Sequence, residues 1–341
     1  MKMQRSQGAG WPRLSGKAIR RATLLVCAAL VAAQGGAQET PQQPTSPQTL
    51  KVYTSVVNVY TVVREKKGRL IPNLNKEDFA VEEDGQPQEI RYFSREADTP
   101  LTLGILVDTS PSQERVLGIE KEEAKAFFQQ VLRPKDLAFV LHFDAEVELL
   151  QDFTSDIHSL ARAVDETQIN GGAHGVLPSP LPTAQGACCT DLYDAVYLAA
   201  NELLKNEIGR KVVILLTDGE DEGSKVKLDT ALTAAQQSDI IIYSIDISDR
   251  IFYSRIGMGY SGESVLKKLS EETGGRVIKV GKPGETAEAF QQIADELRTQ
   301  YLLGYTPSNN ARDGTFRKIR VQARNGDYKV QARRGYYAPS E

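Results

Sequence analysis

The sequence predicts an α/β fold: a mostly parallel sheet covered by helices on both faces, inserted into a small all-β, sandwich-like domain that both chain ends build. Three observations predict it. Between Thr102 and Gln300, apolar runs (LGILV at 103–107, VVILL at 212–216, and IIIYSI at 240–245 with one Ser) alternate with segments of helical spacing. Such runs suit strands buried on both faces, and the alternation suits a parallel sheet with helices on either side. Segments rich in β-branched and aromatic residues lie before and after this region. Neither end holds enough strands to stand alone, so one β-sandwich built from both is the economical arrangement. The alternative is that each end merely decorates the α/β core.

Taken in order, Gln38 to Thr49 (QETPQQPTSPQT) is a linker with almost nothing to bury. Val52 to Val63 reads as a long strand. Phe79–Glu83 and Glu89–Phe93 read as two more, joined through the hairpin signal Asp84-Gly85. Leu103–Val107 is the first buried strand. The spacing then predicts a helix over Glu120–Leu132, with Ala124, Phe127, Phe128 and Val131 on one face. Strand Leu137–Phe143 follows, with Val147–Leu150 as its hairpin partner, then helices at Ile157–Val164 and Asp191–Leu204. Strand Val212–Leu216, helix Leu228–Gln237 and strand Ile240–Ile245 continue the rhythm. Helix Ser264–Thr273 stops at Gly274-Gly275, and strand Arg276–Val280 and helix Glu285–Arg298 close the region. Tyr301–Tyr305, Phe316–Ala323 and Tyr328–Arg333 return to strand character, with Asn325-Gly326 in a turn. The expected parts are 1–37, 38–50, 51–97, 98–300 and 301–341.

The first 37 residues have the layout of a secretory signal peptide. Lys2, Arg5, Arg13, Lys17, Arg20 and Arg21 make a basic region, Ala22 to Ala33 an apolar run, and Gly35-Gly36-Ala37 a small-residue cleavage site. The run is short of the ~20 residues that span a bilayer, and Val26 before Cys27 is too large for a lipoprotein signal. Export to the periplasm or the cell exterior, without stable membrane insertion after cleavage, is the expectation. Cleavage would remove six positive charges and no acids, taking the formal net charge from −4 to −10. An acidic chain argues against nucleic acid as a partner. Adjacent Cys188 and Cys189 cannot form an ordinary bridge to each other. They read as two small thiols, a strained vicinal disulfide being the alternative in an oxidising compartment.

Three loops carry the chemistry: Asp108-Thr109-Ser110-Pro111-Ser112, Cys189-Thr190-Asp191-Leu192-Tyr193-Asp194 and Thr217-Asp218-Gly219-Glu220-Asp221. All lie at carboxyl ends of strands or starts of helices, the edge where open α/β sheets bind ligands. Their oxygens suit a hard cation such as Mg²⁺, which takes octahedral oxygen ligands and keeps some water. Asp108, Ser110, Ser112, Thr190 and Asp218 supply two carboxylates and three hydroxyls, too few to saturate an ion. Mn²⁺ and Ca²⁺ are compatible with the same set. No His or Cys ligand set for a softer metal is present in the sequence. Each residue also has a plainer reading: Ser110, Ser112 and Thr190 as helix caps, Asp218-Gly219 as a turn. Asp191, Asp194 and Asp221 read as acidic neighbours rather than ligands.

DTSPS, CCTDLYDA and LTDGEDE, in this order and after LGILV, resemble the three loops of the metal-ion-dependent adhesion site of von Willebrand factor type A (VWA) domains. NLNKEDFAVEEDGQPQEI before them, and QYLLGYTPSN and KVQARRGYYAP after, are similar to the secreted VWFA-related family abundant in acidobacteria. Cys188-Cys189 departs from the Gly-Gly that many relatives carry before the Thr. The resemblance implies a Rossmann-like, doubly wound domain whose ion docks a carboxylate of a protein or peptide partner. It also implies a binding module rather than an enzyme.

The sequence has no Gly-x-Gly-x-x-Gly cradle, no His-Glu-x-x-His and no Gly-x-Ser-x-Gly. A two-aspartate phosphatase would want an acid where Ser110 stands. His142, His158 and His174 read as structural or surface residues. The competing functions are a hydrolase using the ion as a Lewis acid and a structural envelope protein with a vestigial site. The Gly- and Pro-rich segment Ile169–Ala187 leads into Thr190 and is a candidate functional loop.

Overall fold

Eight consecutive buried residues, Leu101–Asp108, form the strand around which the α/β region is organised. The computed structural model describes residues 56–95, 99–169, 190–248, 262–282 and 284–340. The expected signal peptide and linker, the start of the first strand, Cys188-Cys189, His174 and residues 170–187 lie outside the described residues.

The N-terminal strands are β1 (Val57–Glu65), β2 (Phe79–Glu83), β3 (Gln86–Gln88) and β4 (Ile90–Arg95). The α/β region comprises β5 (Leu101–Asp108), α1 (Leu117–Val131), β6 (Leu137–Phe143), β7 (Val147–Thr154), α2 (Ile157–Glu166) and α3 (Leu192–Leu198). It continues through β8 (Arg210–Thr217), α4 (Leu228–Gln237), β9 (Ile240–Asp246), α5 (Gly262–Thr273), β10 (Val277–Lys279) and α6 (Glu285–Thr299). The C-terminal strands are β11 (Tyr301–Tyr305), β12 (Phe316–Ala323), β13 (Tyr328–Ala332) and β14 (Gly335–Tyr337).

The central sheet has the order β10-β9-β8-β5-β6-β7. All its pairings are parallel except β6 with β7. Side chains alternate across it, as the period of a strand requires. Ile105, Val107, Ile214 and Leu216 pack under α1, α2 and α6, in a core with Phe127, Leu160 and Phe290. Leu106, Val213 and Leu215 pack on the other face, with Leu192 of α3, Ala231 of α4 and Leu266 of α5. This is the expected doubly wound arrangement.

The two chain ends build two four-stranded antiparallel sheets, β13-β1-β11-β4 and β14-β12-β2-β3. Val59 of β1 pairs with Leu303 of β11, and Val81 of β2 with Val321 of β12. Their inner faces share one core of Val57, Val59, Phe79, Val81, Tyr301, Leu303, Tyr305 and Ile319. The strand expected over Glu89–Phe93 differs in detail. The hairpin does form, with Asp84 at φ 48° and Gly85 at φ 79°, but β2 pairs with the short β3. The chain then changes sheets, and β4 pairs with β11. The helix expected over Asp191–Leu204 is also divided, since α3 passes into a π-helical stretch at Ala199–Leu203.

The end sheets are tied to the α/β region by a buried carboxylate. Glu296 of α6 meets Arg64 of β1 at 2.5 Å and Arg276 at 2.6 Å. Arg64 also donates to Gln331 of β13 at 2.8 Å, and Gln331 donates to the Gly274 carbonyl at 2.9 Å.

Candidate metal centre

Asp108 ends β5 and Asp218 directly follows β8, and the two strands are parallel neighbours with Val107 opposite Leu216. From β5 the chain goes to β6 on one side of the pair, and from β8 to β9 on the other. The carboxyl ends of β5 and β8 therefore form a topological switch point, where loops diverge and leave room for a ligand.

The first loop is shaped by Pro111, which starts a one-turn 3-10 helix over Pro111–Gln113. Ser110 precedes it in extended backbone and makes no side-chain cap. Its backbone N–H donates to Asp108 Oδ1 at 2.9 Å, and its hydroxyl lies 3.0 Å from that of Ser112. Ser112 donates to Asp218 Oδ2 at 2.7 Å. The amide of Gln113 donates to the same oxygen at 2.9 Å and to Ser112 at 3.1 Å. Thr217 donates to Asp108 Oδ2 at 2.6 Å.

Asp108, Ser110, Ser112 and Asp218 thus meet in one buried, hydrogen-bonded cluster. Thr190 is attached differently. Its carbonyl accepts from the Glu222 and Gly223 N–H groups at 3.1 and 3.4 Å, and among the described residues its hydroxyl makes no hydrogen bond. Asp191, not Thr190, is the N-cap of α3, and it too makes no side-chain cap. The acidic neighbours stitch the second loop to the third. Asp221 accepts from the Tyr193 N–H at 3.0 Å and from the Ser224 hydroxyl at 2.5 Å. Asp194 accepts from the N–H groups of Lys225 and Val226.

The third loop leans on the start of α5. Gly219 has φ 82°, and a Cβ there would lie 2.6 Å from Leu266 Cγ and 2.7 Å from the Gly262 carbonyl oxygen. Only glycine fits both the dihedral and the space. Glu220 accepts from the Gly262 N–H at 2.8 Å, closing the contact.

Burial pushes the Asp108 carboxyl up to about 7, and the neighbouring Asp218 carboxylate adds to the shift. The opposing pull comes from Ser110 and Thr217, not from a basic side chain. Two buried carboxylates that repel each other, among hydroxyls, are a donor set that a hard dication would neutralise. Among the described residues no three His, Cys, Asp or Glu side chains stand close enough to hold a metal ion. Any ion here would rest on hydroxyls as much as on carboxylates. His142 sits in β6 with its ring nitrogens 3.1 Å from Thr109 Oγ1 and 3.2 Å from Glu148, a structural bridge.

Sequence reasoning passed over Gln113 and gave Thr217 no role beyond opening the third loop. Both adjoin proposed ligands in sequence, and that adjacency was the available signal. A cavity of about 270 Å³, lined by Asn58, Tyr60, Lys211, Gln236, Asp239 and Arg333, lies toward the opposite end of β8.

Two profiles of the von Willebrand factor type A domain match residues 103–220 and 183–293. An uncharacterized protein of Borreliella burgdorferi is 23% identical over 246 residues, which cover 65% of this chain and 62% of that protein. The chain therefore spans less than two thirds of that relative's length. Among solved structures, the conserved hypothetical protein BatB from Bacteroides thetaiotaomicron is 18% identical with a TM-score of 0.41, over 57% of this chain and 98% of that one. Proximal thread matrix protein 1 from the mussel byssus, in a form described as having a zinc-occupied MIDAS motif, is 16% identical with a TM-score of 0.45, over 63% and 50%. A von Willebrand factor type A protein from Catenulispora acidiphila is 14% identical with a TM-score of 0.44, over 76% and 62%.

Proposed function

Given that the chain carries a von Willebrand factor type A domain between residues 103 and 293, we propose that this domain is a non-catalytic protein-binding module. It holds one Mg²⁺-like cation on Asp108, Ser110, Ser112, Thr190 and Asp218 and docks a carboxylate of its partner. The observation that carries the reading is the buried contact of Ser112 with Asp218 at 2.7 Å. It joins loops 106 residues apart in sequence into one cluster made of oxygen donors.

The ion would supply a positive charge and an open coordination position. The chain's own residues do the rest. Asp108 and Asp218 roughly balance the double charge, and the three hydroxyls are neutral, so an incoming carboxylate meets no third carboxylate among the proposed ligands. The acidic surface opposes such a partner only within the ~8 Å screening length of physiological salt.

Export after removal of residues 1–37 belongs to the same reading, as does the division into an insert at 98–300 flanked by 51–97 and 301–341. Among the described residues no helix is long and apolar enough to cross a membrane.

Titration calorimetry with Mg²⁺ and Mn²⁺ tests the site. One site is expected in the wild type and none in Asp108→Ala, and wild-type affinity in that variant overturns the assignment. A crosslinking pull-down with and without EDTA tests the docking. Capture should vanish in EDTA, return with Mg²⁺ and weaken in Thr190→Ala without unfolding. A partner held equally well in EDTA would place recognition on another surface, with Ile169–Ala187 the next candidate.

A further inference from the structure

The apolar face of α1 is interrupted once. Leu117, Ala124, Phe127, Phe128 and Val131 are buried at the spacing of one helical stripe, and Glu120 stands in that stripe, 1% exposed. Among the described residues neither of its carboxylate oxygens has a hydrogen-bond partner. A buried carboxyl without partners is costly, and an apolar residue in the same place would avoid the cost.

The charges that bear on Glu120 are those of Asp108 and Asp218, and both have its own sign. All three acids are buried, Glu120 in the first turn of α1, Asp108 at the end of β5 and Asp218 just after β8. The N-terminus of α1 favours a negative charge, but by too little to offset two buried carboxylates nearby. What this arrangement lacks is a cation.

We infer that Glu120 is a positioning residue of the proposed cation site, acting on the ion from the core side through water. The inference rests on the reading of that site given above. Glu120 is not offered as a further direct ligand, because no three acidic, His or Cys side chains among the described residues converge on one point. Groups beyond the direct ligands commonly set metal affinity by ~10–100-fold, and a carboxyl with two unmet oxygens is suited to receive hydrogen bonds from the water that a hard cation retains.

The test uses the full chain, with Mn²⁺ as the probe. Glu120→Gln removes the charge and keeps the shape; Glu120→Leu removes the polar group altogether. Both should fold in EDTA with a melting temperature at or above that of the wild type. Both should bind Mn²⁺ about tenfold more weakly, with a correspondingly smaller metal-induced rise in melting temperature. Two outcomes overturn the inference: Mn²⁺ affinity within about twofold of wild type in both variants, or loss of folding in both in EDTA, which would make Glu120 a packing residue. If the wild type itself binds no Mn²⁺, the cation reading falls first and this inference falls with it. Unchanged affinity in the variants beside a binding wild type removes the inference alone.

Discussion

Thr217 donates its hydroxyl to Asp108 at 2.6 Å, so the last residue of β8 holds the last residue of β5. The same Thr217 oxygen accepts the Gly219 N–H at 3.0 Å. One hydroxyl therefore fixes a proposed ligand and the turn that carries the next one. Thr217→Val keeps the shape and the β-branch but leaves an Asp108 oxygen and the Gly219 N–H unmet. The expected cost is about 1–3 kcal/mol, together with a ~10-fold or greater fall in Mg²⁺ affinity. Chemical denaturation in EDTA reads the first effect and titration calorimetry the second. Full metal affinity in a destabilised variant would show that the bond serves the fold only.

Much of this was legible in the sequence, for physical reasons that differ from element to element. Leu137–Phe143, Leu228–Gln237 and Phe316–Ala323 have the limits expected of them, because apolar runs and turn residues bound them on both sides. The change of sheet between β3 and β4 left no mark, since a single residue, Glu89, separates the two strands. It depends on which distant partner, β2 or β11, each half meets. β14 escaped because three residues carry no period. The loops of the proposed site were legible as hydroxyl and carboxylate spacing, whereas Glu120 was not singled out: the helix was expected to begin there, and it begins three residues earlier, at Leu117. Read with that turn included, an acid on the apolar stripe is the signal.

Lys211 is a buried cation on β8, 7% exposed. Burial lowers its pKa from the ordinary 10.5, against the pull of Asp239 and Glu207. A base with a lowered folded-state pKa binds fewer protons folded than unfolded across the window between the two values. Stability from this group is therefore lowest below the folded value and rises with pH up to about 10.5. Lys211→Met removes that dependence and should raise the melting temperature at pH 7 by ~2–4 °C. Melting curves of both proteins from pH 7 to 10.5 check it: the gap should narrow as pH rises. A gap that widens would show that Asp239 and Glu207 outweigh the burial.

β1 pairs with β11 on one side and β13 on the other, so its strand partners come from the C-terminal end, apart from the bonds of Val63 and Glu65 to Ile71 and Arg69. Deleting Tyr305–Glu341 removes β12, β13 and β14 and the buried ring of Tyr305. Hydrogen exchange on the truncated protein should find Val57–Glu65 unprotected while Leu101–Asp108 keeps its protection. Retained protection in β1 would mean that the strand does not depend on β12, β13 and β14.

Glu296 links that β-structure to the insert. It is buried, and it pairs with Arg64 from β1 and with Arg276 at the start of the segment leading into β10. One residue, Gln300, separates α6 from β11, so the same ion pairs also fix the point where the chain leaves the α/β region. Removing one partner of a buried pair typically costs ~3–5 kcal/mol, but here Arg276 remains to meet Glu296, so Arg64→Ala should cost less, about 2 kcal/mol. The loss has a direction. Arg64 also reaches Gln331 of β13 at 2.8 Å, so the substitution loosens β1, β13 and α6 together and leaves the Asp108 and Asp218 loops, at the far end of the strands, in place. Arg64→Ala should therefore lower the melting temperature and speed exchange in β1, β13 and α6, with Mn²⁺ affinity within about twofold of wild type. A double-mutant cycle with Glu296→Gln should return a coupling close to the single-mutant cost. A coupling near zero would mean that the arginine stem, rather than its charge, holds the two parts together.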